Sequence, residues 1–111
     1  MIMAQKKITD DIQAIVKMIV ANFNQTYLPK SIKYIPRFKG ANLYLDRSEH
    51  GRPASAICRL TFTGDIDTWS FAIYKYGCNQ YDPNEIFLPG IDLLDGSIEG
   101  AMRCGMKAYP A

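Results

Sequence analysis

One histidine and a few acidic residues are the side chains of this sequence that could carry out acid–base chemistry. His50 lies in the polar segment 47–53. A Ser–His or Cys–His nucleophile system would need His50 as its base. No serine or cysteine stands in a recognisable nucleophile-elbow motif. We therefore predict that His50 is an exposed loop residue.

Four acidic side chains could act as a general acid and base or hold a hard cation: Asp82, Glu85, Asp92 and Asp95. Their spacing does not match a calcium-binding loop. Asp82 precedes a proline, which is typical of a turn, and Asp92 and Asp95 stand where a helix begins. The glycines form no phosphate-binding motif and the cysteines form no CxxC pair. The sequence thus predicts no metal site and no cofactor, and a small enzyme with an acidic site stays an alternative.

Charge is distributed unevenly along the chain. The segment from 28 to 60 contains only two acids against seven basic residues, Lys30, Lys33, Arg37, Lys39, Arg47, Arg52 and Arg59. The segment from 77 to 102 contains five acids and no lysine or arginine. This asymmetry is compatible with an anionic partner, with head-to-tail self-association, or with solvated loops and strand faces. A pI of about 8.4 favours solvated faces over a dedicated nucleic-acid binder.

Two helices can be predicted, one at each end of the chain. Apolar residues from Ile12 to Phe23 recur with helical spacing, and Tyr27 extends the stripe. Thr9 or Asp10 is suited to the N-cap and Pro29 to the end, so we predict a helix over 9–27. A second helix is predicted from about Asp95 or Ser97 to Pro110. Its glycines, Gly100 and Gly105, indicate close contact with another element, which we expect to be the sheet.

Between these helices the apolar residues alternate with polar ones, which is typical of strands. We predict strands over 32–39, 42–46, 54–63 and 69–76, and a short fifth strand over 86–88. Pro36 places the first strand at an edge. Helix, antiparallel strands and helix together predict a single α+β domain over residues 1–111, folded as a two-layer sandwich. The expected core lies between the first helix and Leu43, Leu45, Cys58, Leu60, Phe62, Trp69, Phe71 and Ile73.

The strand pattern directs tyrosines and cations to the sheet face opposite this core. Tyr44, Arg59, Tyr74 and Tyr76 should share that face with Thr61, and the edge strand could add Lys33, Arg37 and Lys39. These seven residues are the candidate binding site. The leading hypothesis is a small non-enzymatic interaction module that uses this face, or an edge strand, for protein contact or homodimerisation. The alternative is single-stranded nucleic-acid binding, in which bases stack on the rings.

Length and composition fit one soluble globular domain. The chain has 111 residues, a net charge of +2 and 48% hydrophobic residues, which is enough apolar surface to fold. Residues Met1 to Lys7 lack the apolar core of a signal peptide, and no apolar stretch is long enough to span a bilayer. Three widely spaced cysteines do not form a secreted disulfide framework. We therefore expect a cytoplasmic protein with reduced thiols and no membrane partner.

Overall fold

The computed structural model describes residues 5–111. It contains helix α1 (Asp10–Tyr27), then five strands: β1 (Ile32–Lys39), β2 (Asn42–Glu49), β3 (Ser55–Thr61), β4 (Ser70–Lys75) and β5 (Gln80–Asp82). A short 3-10 helix (Ile91–Leu93) and helix α2 (Ile98–Ala108) complete the chain. The strands pair antiparallel in the order β1-β2-β3-β4-β5, so each strand neighbours the next one in sequence. The predicted α+β class and element order are confirmed.

Both helices pack on the same face of the sheet. The domain therefore has two layers, one of helices and one of strands. Side chains of α1 and α2 meet those of four strands in one buried cluster that includes Val16, Val20, Phe23, Leu43, Leu45, Cys58, Leu60, Ile73, Ala101 and Met102. The expected core is confirmed on the sheet side. The buried stripe of α1 is narrower than predicted, because Ile15 and Tyr27 lie at its margins and are 43% and 59% exposed. Within the described residues, no helix combines the length and apolar character needed to cross a membrane.

A β-bulge in β3 changes which side chains face the helices. Leu45 pairs with Cys58, whereas the next residue, Asp46, pairs with Ala56, so Ile57 is the extra residue. Simple alternation placed Ile57 on the outer face and Ala56 in the core, and both assignments are wrong. Ile57 is buried at 2% exposure, and Ala56 lies opposite the outward-facing Asp46. The bulge is the cause, because an inserted residue shifts the alternation by one.

The predicted strand over 86–88 is also wrong, since the fifth strand is Gln80–Asp82. Pro83 has no amide hydrogen to donate to a ladder. The Asp82 carboxylate accepts a hydrogen bond from the Asn84 amide at 2.8 Å, and this turns the chain out of the sheet. Ile86 and Phe87 consequently lie in an exposed loop.

Helix α2 packs closely on the sheet through Gly105. A Cβ atom there would lie 2.5 Å from the Tyr34 hydroxyl oxygen and 2.7 Å from a methyl carbon of Ile57. The predicted glycine contact with the sheet is confirmed at this position. At Gly100 the close neighbours belong to the preceding loop instead, namely the Asp95 carboxylate and the Leu93 carbonyl. Ser97 is the N-cap, and its hydroxyl accepts from the Gly100 amide at 2.9 Å.

Arg47 is buried beneath the end of α2, with 2% of its surface exposed. Its guanidinium donates to the Glu49 carboxylate at 2.9 Å, to the Gly105 carbonyl at 3.4 Å and to the Tyr109 carbonyl. A cation in this place donates to carbonyls at the end of the helix and complements the negative end of the helix dipole. The prediction that Arg47 belongs to a solvent-facing basic segment is therefore wrong.

Candidate interaction face

The sheet face opposite the helices carries a continuous set of tyrosines and arginines. The strand register places Arg37 beside Tyr44 and Tyr44 beside Arg59, and it places Tyr74 beside Tyr81. We call this set the tyrosine–arginine face and define it by Arg37, Tyr44, Asp46, Arg59, Tyr74, Tyr76 and Tyr81. Arg59 pairs with Ala72 on β4, and this small side chain leaves room for larger ones to lie across it. Neither helix covers the face.

Tyrosine rings contact one another across the face in an unbroken chain. The centroids of Tyr44 and Tyr81 are 5.4 Å apart, and those of Tyr81 and Tyr74 are 4.9 Å apart. The chain continues from Tyr74 to Tyr76 at 4.8 Å and to Tyr109, at the end of α2, at 5.6 Å. All four pairs have the edge-to-face geometry that the ring quadrupole favours. Each ring therefore restricts its neighbours, and the face is ordered before any partner arrives.

Hydrogen bonds fix the far end of this chain. The Tyr76 hydroxyl donates to the Ala56 carbonyl at 2.6 Å, and the Tyr109 hydroxyl donates to the Tyr74 carbonyl at 2.5 Å. Burial raises the pKa of Tyr76 and that of Tyr109. These phenols therefore stay protonated at neutral pH and act as hydrogen-bond donors.

Two arginines lie over tyrosine rings. The Arg37 guanidinium lies 4.4 Å from the centroid of Tyr44, and the Arg59 guanidinium lies 5.4 Å from that of Tyr81. Arg37 also donates to the Asp46 carboxylate at 3.1 Å, and this hydrogen bond raises the pKa of Arg37. The Nε atom of Arg59 is different, because it is buried and has no hydrogen-bond partner among the described residues. An unsatisfied buried donor of this kind is costly to the fold, and because the atom is not exposed, a partner cannot reach it directly.

Five of the seven residues predicted from sequence come together here, namely Arg37, Tyr44, Arg59, Tyr74 and Tyr76. The other two, Lys33 and Lys39, are exposed on the same side of β1 as Arg37. Within residues 5–111 they make no ion pair and no cation–π contact. They border the ring chain without joining it.

The sequence prediction missed Tyr81 and Asp46, which lie at the centre of the face. Tyr81 contacts two other rings and Arg59, and burial raises the pKa of its phenol. Its strand has only three residues, too few for alternation to be recognised. Asp46 alternates with Leu45 in the predicted strand over 42–46 and so was expected to face outward, but it was not counted among the binding residues.

The outer edge of β1 is largely occupied by contacts within the chain. The Asn24 side chain accepts from the Tyr34 amide at 2.8 Å and donates to the Tyr34 carbonyl at 3.0 Å, as a neighbouring strand would. The Ile32 amide donates to the Pro29 carbonyl at 3.0 Å, and Pro36 has no amide hydrogen. Few backbone groups of this edge are left for a further strand.

Three of the four acidic residues that could do chemistry have structural partners. Asp82 and Glu85 both bind the Lys75 ammonium, at 2.8 and 3.4 Å, and the Lys75 hydrogen bond lowers the pKa of Asp82. Asp95 accepts from the hydroxyl and the amide of Ser97 at the start of α2, and these bonds lower its pKa.

His50 is exposed in the turn after β2, as predicted. In the part of the chain that the structure describes, no three or more His, Cys, Asp or Glu side chains are grouped to hold a metal ion. No protein-family model, curated protein or solved structure matches this chain.

Proposed function

We propose that this protein is a small, non-enzymatic binding module that recognises a partner protein through the tyrosine–arginine face. The observation that carries this proposal is the ring chain itself, held on a sheet face that no helix covers. Tyrosine and arginine are over-represented among the residues that dominate binding energy at protein interfaces. Rings that already hold one another lose little conformational freedom on binding, so more of the contact energy is available for affinity.

A protein partner accounts for this arrangement better than a nucleic acid does. Base stacking needs an open ring face. Arg37 lies over Tyr44 and Arg59 lies over Tyr81, and the ring edges of the chain contact other rings. The Arg37 charge is also partly neutralised by Asp46. These contacts leave fewer stacking platforms and less free positive charge than a phosphate backbone would require.

Docking on the face is also better supported than strand addition. A peptide that added to β1 would have to displace the Asn24 side chain from both backbone groups of Tyr34. At the opposite edge of the sheet, β5 has only three residues, and the ion pairs of Lys75 border its end. Short, charged or covered edges are the usual means by which proteins prevent such pairing.

The chemistry of the face indicates an acidic partner surface with exposed apolar groups. Four cations, Lys33, Arg37, Lys39 and Arg59, lie on this side of the sheet together with one carboxylate, that of Asp46. A carboxylate of the partner would complement this excess of positive charge. The tyrosine rings would supply apolar contact area around it.

Site-specific photocrosslinking in the native cell tests this function. A benzophenone amino acid at Ser70, which pairs with Thr61 at the border of the face, should crosslink a discrete partner protein. The same probe at Met18, an exposed position on the helix side, is the matched control and should not. Arg59→Ala and Tyr44→Ala, each checked for native circular dichroism, should remove the Ser70 adduct. Nuclease-sensitive adducts would favour nucleic-acid binding instead, and no adduct at Ser70 would contradict the proposal.

A further inference from the structure

An open groove lies on the helix side of the molecule, away from the tyrosine–arginine face. Its volume is about 570 Å3, within the range of roughly 300–1,000 Å3 that is typical of occupied pockets. The floor is apolar and includes Phe23, Tyr27, Leu28 and Met106, from the ends of α1 and α2. Arg103 and Lys107 add two positive charges to its lining. Nothing within residues 5–111 fills it.

Two neighbouring apolar side chains of the same molecule are largely exposed to solvent. Phe87 is 85% exposed and Ile86 is 67% exposed, and Phe87 is the most exposed of the large apolar side chains in the described chain. We call these two residues the Ile86–Phe87 knob. An exposed neighbouring pair of this kind is typical of an interaction site.

The knob is held by ordered segments on both sides. Before it, Glu85 binds Lys75 at 3.4 Å. After it, the Cys104 thiol donates to the Pro89 carbonyl at 3.8 Å, and Gly90 approaches the backbone of Cys104 closely. The loop therefore presents its apolar side chains in a fixed direction, which reduces the entropy lost when they are bound.

We propose that the Ile86–Phe87 knob of one copy occupies the groove of a second copy, reciprocally, in a two-fold symmetric dimer. Gly90 lies against Lys107, which lines the groove, and Phe87 precedes Gly90 by three residues. Three residues span at most about 11 Å, so the backbone at Phe87 lies within about that distance of the rim of the groove. A two-fold rotation can then bring each knob to the groove of the other copy.

Charge complementarity supports a second copy as the occupant. The segment after the knob carries the exposed carboxylate of Asp92 and no cation, whereas the groove contributes Arg103 and Lys107. Glu85, before the knob, is already paired with Lys75. The exchanged side chains bury much less than the roughly 1,600 Å2 of a standard interface. The dimer is therefore a weak one, and its population depends on protein concentration in the micromolar range.

Sedimentation equilibrium over a wide concentration range tests this dimer. The wild-type chain should change from 12.5 kDa to twice that mass as concentration rises. Phe87→Ser removes the knob and should weaken association by about tenfold or more. Met18→Ser removes an apolar side chain that is 72% exposed elsewhere and should associate like the wild type, as should Arg59→Ala on the tyrosine–arginine face. A wild-type chain that stays monomeric, or a dimer unaffected by Phe87→Ser, would overturn the proposal.

A mixing experiment tests the reciprocal arrangement. Tyr27→Asp places a charge in the groove and leaves the knob intact, so alone it should associate as poorly as Phe87→Ser. A mixture of the two variants can form a heterodimer with one intact knob-and-groove contact. The mixture should therefore show more dimer than either variant alone. Equal behaviour of the mixture and the single variants, with circular dichroism native in all, would refute reciprocal exchange.

Discussion

Replacing Arg47 by alanine should be among the most destabilising single substitutions in this protein. Its guanidinium, which is held by Glu49 of the same strand, connects β2 to the end of α2 through hydrogen bonds to the Gly105 and Tyr109 carbonyls. Alanine would remove this donor from both carbonyls and would open a cavity between the helix and the sheet. The substitution therefore separates the stabilising role of a buried charge from that of ordinary surface ion pairs.

Its magnitude can be worked from these contacts. Truncating a large buried side chain costs about 3–5 kcal/mol, and the Arg47 side chain is 1% exposed, whereas Glu49 is 30% exposed and regains water. A domain of this length has a total unfolding free energy of about 5–15 kcal/mol. The variant should thus lose a fifth or more of its stability. Arg37→Ala is the control, because its ion pair with Asp46 is 54% exposed on the arginine side and is worth about 1 kcal/mol or less.

Urea unfolding monitored by the fluorescence of the single tryptophan measures both variants. With a slope of about 1–3 kcal/mol per molar urea, the Arg47→Ala midpoint should fall by more than 1 M and that of Arg37→Ala by much less. Arg47→Lys should lie between them, because an ammonium keeps the charge but cannot reach acceptors on both sides with a planar fork. Equal midpoints for Arg47→Ala and Arg37→Ala would refute the reasoning.

Three further predictions concern the core. Gly105→Ala, although alanine favours helices, should lower the unfolding free energy by about 1–3 kcal/mol, because the new Cβ meets the Tyr34 hydroxyl; a stabilised variant in urea unfolding would contradict this. With an Ellman-type reagent at neutral pH, the exposed Cys78 should react fast. Cys58 and Cys104 should react slowly, because both are buried and burial raises the pKa of Cys104 to about 11. Two fast thiols would be inconsistent with this packing. Burial also raises the pKa of Tyr34, so the folded state holds this proton more tightly than the unfolded state does. The unfolding free energy should therefore fall as pH rises above about 10. Urea midpoints that stay constant up to pH 11 would disprove this prediction.

Periodicity predicted most of the core because helix and strand spacing is a local property. Where the structure departs from it, a non-local contact decides. Ile57 turns inward because the bulge in β3 lies beneath Gly105 of α2. Arg47 stands on the core-facing side of β2, but only the position of the α2 carbonyls shows why a charge is tolerated there. Tyr81 lies in β5, a strand that forms because it pairs with β4. With only three residues, β5 is too short for its alternation of apolar and polar residues to be recognised in the sequence.

The placement of the two helices determines which surfaces remain for recognition. Because α1 and α2 both cover one face of a five-stranded sheet, the other face is shielded by its own side chains and, at one end, by Tyr109. A merely solvated face would be expected to carry threonine, lysine and glutamate. This one carries tyrosines that pack on one another and arginines that lie over two of the rings. An ordered apolar surface with cations on it is suited to a partner that offers apolar groups among carboxylates. The proposed docking of an acidic protein surface would therefore use both features of this face.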